Sequence, residues 1–504
     1  MRARPRVAIV GAGFGGLAMA LELRRRRLDN FAILERADRV GGVWRDNTYP
    51  DAACDAPSAF YSFARESSPG WPRRFATQPT ILAYLEDCVR RNDLGDRIRL
   101  AANVTTARFD EGANRWLLTV DGRQEAYEVL ICACGQLSEP AVPEIAGAFG
   151  GTSFHSAAWD HSVVLSGKRV GVIGTGASAI QFMPALVSLA ASVHLFQRSA
   201  PYVIYKPDRR YGGRHQALVQ RVPLVLAAER LAWYLLAEYG QSALTRHHAW
   251  LKPWAALSRL QLALSVADRA KRAALTPKDD IGCRRLLFSN DYYSAVADPR
   301  VELVASGIES LAGDGVRTLD GQRHQLDVLI YATGFQPRGF IAPLEVVGRG
   351  GVRLAEDAWS SGASAFLGIT VPRFPNMFLL YGPNTNLGSG SIVYMLESAA
   401  RYVAQAVSRL VAGEAFDLRP ERLRQFDAEM QRRLAATVWA SGCRSWYVDE
   451  NGRNAHNWPG LMREYRRRTA RFAPSDYALL RAMSARGSSP VRAEANVIAT
   501  RPAS

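Results

Sequence analysis

"VAIVGAGFGGLAMALELRRRR" runs from Val7 to Arg27 and decides the fold. Four apolar residues, Val7 to Val10, read as a buried parallel strand. The glycines Gly11, Gly13 and Gly16 follow at G-x-G-x-x-G spacing, and then a helical period takes over. The first glycine permits a tight turn, the second lets a pyrophosphate approach the backbone, and the third lets helix and strand pack closely. The next strand, "FAILE", ends on Glu35. A carboxylate there accepts hydrogen bonds from a ribose diol and repels a 2′-phosphate, so this βαβ unit suits FAD or NAD and not NADP.

A second copy begins at "KRVGVIGTGASAIQFMPALVSLA", Lys168 to Ala190, with Gly174, Gly176 and Ala179 in the G-x-G-x-x-A variant. Ser178 stands at the start of its helix. The following strand closes on Gln197-Arg198, with no carboxylate. A guanidinium at that place pairs with a 2′-phosphate. The residues themselves therefore point to FAD in the first site and NADPH in the second, and to hydride transfer from nicotinamide to flavin.

The rest of the chain sets bounds. It has 504 residues, 48% of them hydrophobic, enough for two or three domains. The net charge of +16 is carried almost wholly by arginine. No long basic block is interleaved with aromatics, so nucleic-acid binding is not expected. Attraction of a polyanionic cofactor is the better use of that charge. The six cysteines form no C-x-x-C pair, which argues against a dithiol centre or a zinc ribbon. No signal core opens the chain, and the apolar stretch Val222–Leu236 is too short and too charged to span a bilayer. These features lead to the expectation of a cytoplasmic enzyme with reduced thiols.

The organisation read from the sequence is α/β, with two Rossmann-like dinucleotide-binding domains and an inserted helical segment. Residues 1–140 are the first part of the FAD-binding domain, and 141–334 the NADPH-binding domain with an insertion at about 211–278. Residues 335–486 complete the FAD-binding domain, and 487–504 read as a disordered tail. The apolar faces of the insertion read as core packed over a cavity and not as a membrane-surface face.

Two further stretches carry a resemblance. "FGGTSFHSAAWD" places Phe149, Gly151, His155, Trp159 and Asp160 in F-x-G-x-x-x-H-x-x-x-W-D. "GGVWRDNTYPDAACD" places Gly41, Gly42, Trp44, Tyr49, Pro50 and Asp55 in G-G-x-W-x-x-x-x-Y-P-x-x-x-x-D. The chain resembles the Baeyer–Villiger monooxygenases of the flavin-containing monooxygenase superfamily, from the first strand to about Gly460. It departs from their pattern at Asp51, where glycine or methionine is usual, and at Cys134, where threonine is common.

The resemblance implies an NADPH- and O2-consuming flavoenzyme that inserts oxygen beside a ketone carbonyl through a C4a-peroxyflavin, giving an ester or lactone. It implies that Gly42, Trp44 and Asp55 wall the flavin. "GCRRLLFSNDYY" is similar to the family segment with a basic pair, here Arg284 and Arg285; Arg285 would stabilise the anionic adduct, Asp55 would pair with it, and Arg284 would join Arg198 at the NADPH phosphate. "CRSWYVDENGR" implies Trp446 beside the nicotinamide ribose. "YGPNTNLGSGSIVYMLE" implies a helix N-terminus, entered at Gly388–Gly390, near the flavin ring. His155 reads as a structural histidine linking domains. His247 and His248 read as solvated, with no third metal ligand in sight. N- or S-oxygenation is the rival within the superfamily. A flavin-dependent reductase or a non-catalytic nucleotide-binding protein is the rival outside it.

Overall fold

The computed structural model describes residues 4–482, apart from 69, 337–339, 342, 444 and 450. The tail expected from 487 onward lies outside the described residues. Ten strands build two parallel sheets: β1 (Val7–Val10), β2 (Phe31–Leu34), β3 (Ile98–Arg99), β4 (Val129–Cys132), β5 (Thr152–His155), β6 (Arg169–Ile173), β7 (Ser192–Phe196), β8 (Val301–Val304), β9 (Val328–Tyr331) and β10 (Met377–Leu379). The first sheet has the order β10-β4-β1-β2-β3 and the second β8-β7-β6-β9-β5. Ile9 sits between Ile33 and Ile131, and Val172 between Leu195 and Ile330. Both central strands are covered on two faces, which is why Val7–Val10 and Val170–Ile173 are apolar without alternation.

Each glycine loop opens a helix: α1 (Phe14–Arg25) after β1 and α2 (Ala177–Leu189) after β6. β10 returns to the first sheet from beyond the second, so the chain leaves the first domain, builds the second and comes back. Antiparallel ladders flank both sheets; one is Val104–Asp110, Arg115–Val120 and Arg123–Tyr127, and another is Ile308–Ala312, Gly315–Thr318 and Arg323–Gln325.

The insertion is helical. Its long members are α3 (Pro223–Thr245) and α4 (Lys252–Ser265), each started by a proline in the first turn. α5 (Ile392–Val407) follows the Gly388–Gly390 segment and packs on α1. No helix among the described residues is long and apolar enough to cross a membrane.

The expectation that all thiols are reduced does not hold. Cys283 and Cys443 form a disulfide, with Cα atoms 6.2 Å apart and 160 residues between them. That separation is why no local cysteine pattern announced it. The bond ties the segment of Arg284 and Arg285 to the segment of Trp446. Cys54, Cys88, Cys132 and Cys134 are free. Titration of the unfolded, unreduced protein with a thiol reagent should therefore find four thiols, rising to six after reduction. Six thiols before reduction would show that the bond does not form.

Candidate active site

The two glycine loops are built alike. Gly11 has φ +104° and Gly174 has φ +109°, the left-handed side that favours glycine. A Cβ on Gly11 would lie 2.6 Å from the Ala133 carbonyl oxygen, and one on Gly174 would lie 2.5 Å from that of Ala332. The segments Ala133–Gly135 and Tyr331–Phe335, which follow β4 and β9, thus press on the two loops in the same way. α1 starts at Gly13 and α2 at Gly176, neither with a side-chain cap nor with an acidic residue in its first turn. The orphan N–H groups and the positive helix ends are left for an anion. Both cradles fit a dinucleotide pyrophosphate.

Glu35 is buried at the end of β2. Its carboxylate accepts hydrogen bonds from Ala12 N (2.7 Å), Ala37 N (3.0 Å) and Arg45 Nη1 (2.9 Å). A cleft of about 360 Å³ opens beside it, lined by Arg36, Ala37, Arg45, Ser138 and Phe335 among others. Gly42, at φ +54°, packs on Gly13: a Cβ there would stand 3.2 Å from the Gly13 Cα. The second signature therefore lies directly on the first loop. Asp51 has φ +58°, which accounts for the usefulness of glycine at that place in the pattern. Trp44 Nε1 donates to the Tyr61 hydroxyl at 3.2 Å.

At the second loop, Arg198 is exposed just past β7 and has no acidic partner among the described residues. Arg284 reaches the same corner. It donates to the Ser199 hydroxyl and pairs with Asp279 at 2.9 Å. Ser178 lies in the first turn of α2 against the Tyr49 hydroxyl. Gln181, one turn on, clamps the other domain: its Oε1 accepts from Ala53 N and the Tyr49 hydroxyl, and its Nε2 donates to Ala53 O at 3.0 Å.

Arg285 is solvent-accessible and stands among charged and phenolic groups from three parts of the chain. Burial works against its charge, but the Asp55 carboxylate, followed by the phenols of Tyr447 and Tyr381, outweighs this and its pKa rises. Cys54 and Tyr61 are also within its field. Three separate stretches thus converge on one cation: 54–61, Tyr381 and Tyr447.

The direct Asp55–Arg285 pair expected from the sequence is not present. Asp55 Oδ1 instead pairs with Lys206 Nζ at 3.2 Å and accepts from Gln181 Nε2 at 3.4 Å. Asp55 acts on Arg285 through space and not by contact. Lys206 and Gln181 were missed in the sequence. Gln181 had a signal, being a polar side chain inside the apolar run "AIQFM"; Lys206 had only its rarity among arginines.

Trp446 is exposed, with its ring 4.6 Å from Tyr447 and 4.9 Å from His456. Burial pushes His456 down to about 4, so it is neutral near pH 7. His155 is buried at the end of β5, accepts from Ala157 N at 3.0 Å, and has its pKa lowered by burial. It closes the turn that follows β5.

Away from this site, His194 and His324 face Glu302 at 3.0 and 3.4 Å. The ligand atoms of these three lie within 4.8 Å of one another, a grouping that the sequence reading of no metal ligands overlooked because the residues are far apart in the chain. They meet where β7, β8 and the adjoining ladder come together.

A family profile described as pyridine nucleotide-disulphide oxidoreductase matches residues 8–212. The chain is 41% identical over 483 residues to a Baeyer–Villiger monooxygenase of Streptomyces coelicolor, covering 94% of this chain and 93% of that one. Among solved structures, a steroid monooxygenase bound to NADP superposes with a TM-score of 0.83 at 32% identity, covering 95% of this chain and 99% of that one. OTEMO in complex with FAD and NADP gives a TM-score of 0.83 at 26% identity, covering 93% and 98%.

The third position of each loop makes a local test. A Cβ on Gly16 would overlap the Gly11 carbonyl oxygen, whereas the second loop carries a fully buried Ala179 there. Gly16→Ala should lower stability by about 1–3 kcal/mol, read as a lower thermal midpoint. Ala179→Gly should cost only about 0.5–1 kcal/mol. An unchanged midpoint for Gly16→Ala would contradict the closeness of the first turn.

Proposed function

The chain belongs to the Baeyer–Villiger monooxygenases, and from that premise we propose that it binds FAD in the first cradle and NADPH in the second and inserts one oxygen atom beside a ketone carbonyl. The observation that carries the reading is Arg285: a fixed cation from the NADPH-side segment, set among Cys54, Asp55, Tyr381 and Tyr447 of the flavin-side segments. When bound, the cofactor pair supplies hydride transfer and activation of O2 to an oxygen donor.

The residues divide the work. Gly11, Gly13, Gly16 and the α1 N-terminus would hold the FAD pyrophosphate, and Glu35 the ribose diol. Gly42 and Trp44 would wall the flavin side, Gly42 by its closeness to Gly13. Gly174, Gly176, Ser178 and the α2 N-terminus would hold the NADPH pyrophosphate, with Arg198 and Arg284 at the 2′-phosphate. Trp446 would lie against the nicotinamide ribose.

Arg285 would hold the negative charge that grows on the substrate oxygen as the new C–O bond forms. It suits that role because it stays protonated at neutral pH and keeps its charge beside Asp55. Asp55 sustains that cation electrostatically while Lys206 and Gln181 fix the carboxylate. N- or S-oxygenation needs no such fixed cation at a carbonyl oxygen, so Arg285 favours the ketone reaction.

Replacing Arg198 by alanine should weaken NADPH about ten- to a hundred-fold and leave NADH nearly unchanged, since only the former loses a charge-assisted contact. Equal loss for both nucleotides would remove Arg198 from the site. Arg285→Ala should keep NADPH oxidation running, released as hydrogen peroxide, while ester formation from a ketone panel falls about 10²–10³-fold. Ester formation near the wild-type rate would take Arg285 out of the mechanism. Oxygenation of an amine and sulfide panel with none on ketones would shift the reading to heteroatom oxidation.

A further inference from the structure

α3 is inside out. Its charged residues point at the protein. Arg230 Nη1 donates to Ala59 O at 2.8 Å and Ser62 O at 3.0 Å. Glu238 accepts from the Tyr234 hydroxyl and Arg463 N, both at 2.8 Å, and Glu229 accepts from the Tyr211 hydroxyl. The opposite face carries Leu224, Leu231, Leu235, Leu236 and Tyr239, with alanines between them. These leucines are not incidental exposures: Leu224 is 75% accessible, Leu231 56% and Leu235 57%. From Val222 to Tyr239 the exposed face of α3 carries no charge. The expectation that the apolar faces of the insertion are core is thus met on one side only.

The surface continues beyond α3. Tyr239 stacks on Trp250 at 4.8 Å, and Trp250 is itself exposed. α4 then exposes Leu257, Leu260 and Leu264, the last at 80%. A soluble surface has no reason to present such a stripe at helical spacing.

Charge says what covers it. Arg214, Arg221, Lys252 and Arg259 are exposed around the stripe and have no acidic partner among the described residues. Both acidic residues between 212 and 264 are the inward-turned Glu229 and Glu238. A two-fold copy of this chain would set those cations against their own kind. A bilayer with anionic headgroups offers the complement to both features, apolar below and negative above. Spanning is not open to α3, because Glu229, Arg230 and Glu238 interrupt it; lying in the interface plane is.

We propose that the outer face of α3, continued through Trp250 and α4, docks the protein on anionic lipid bilayers. The docked helix reaches the site. Gln241 donates to Trp458 O and Gly460 O and accepts from Ser389 N, each at 3.1 Å. Leu244 covers Gly282, which precedes Arg285 by three residues, and Gly388. Resting on the oxygenation proposed above, the substrate class this favours is a ketone that partitions into lipid.

The test is flotation of the full chain with vesicles of phosphatidylcholine containing about one third phosphatidylglycerol, against vesicles of phosphatidylcholine alone. Co-flotation with the anionic vesicles, weakened by salt and cut at least tenfold by Leu224→Gln/Leu231→Gln/Leu235→Gln, is the expected result. These side chains are exposed, so the variant should keep its thermal midpoint. Absence from the lipid fraction overturns the proposal. So does equal flotation of the triple variant. A dimer in solution that the triple variant dissociates would assign the face to a second copy instead. None of these readouts needs turnover, so failure of docking and failure of the oxygenase reading are separable. For the substrate class, ester formed from a long-chain ketone carried in anionic vesicles should fall in the triple variant while substrate-free NADPH oxidation is unchanged; equal ester formation would remove that class.

Discussion

Two backbone contacts govern this structure: the Ala133 carbonyl against Gly11 and the Ala332 carbonyl against Gly174. Each lets the segment that follows β4 or β9 lie on a strand–helix turn with no side chain between. The turn then aims a helix start at an open cradle. No cap or acidic residue blunts either helix start, so both keep their attraction for phosphate. The charges that distinguish the two sites stand at their edges. Glu35 stands at one and Arg198 at the other, and this difference of charge is the basis for proposing a free ribose at the first and a phosphorylated one at the second.

Joining the cradles into one site takes contacts across the domains. Gln181 grips the Tyr49–Ala53 turn from α2, and Lys206 reaches Asp55. Arg285 arrives from the second domain among residues of the first. The Cys283–Cys443 bond tethers that segment to the chain beside Trp446. Among the described residues no carboxylate pairs with this cation in contact, and Asp55 acts on it through space.

The parts that were legible in the sequence are local. β1, its glycine turn, α1 and Glu35 lie within one unbroken stretch, so periodicity and spacing carry them. The contrast of Glu35 with Arg198 was legible for the same reason. The parts that were not legible are long-range. Asp55 was expected against Arg285, but Lys206 stands in contact, and no spacing relates residues 55 and 206. The disulfide joins positions 160 residues apart. The exposed apolar face of α3 escaped because a helix apolar on both sides does not say in its sequence which side is covered.

The central claim is that this scaffold moves one atom of molecular oxygen into a ketone. Turnover of a ketone panel with NADPH under ¹⁸O2, followed by mass spectrometry of the ester, tests it most directly. The account predicts an ester with one ¹⁸O beside an unlabelled carbonyl, formed with NADPH and not without it. Unlabelled ester, or NADPH consumed with no ester from any ketone while an amine or sulfide gains the label, would contradict it.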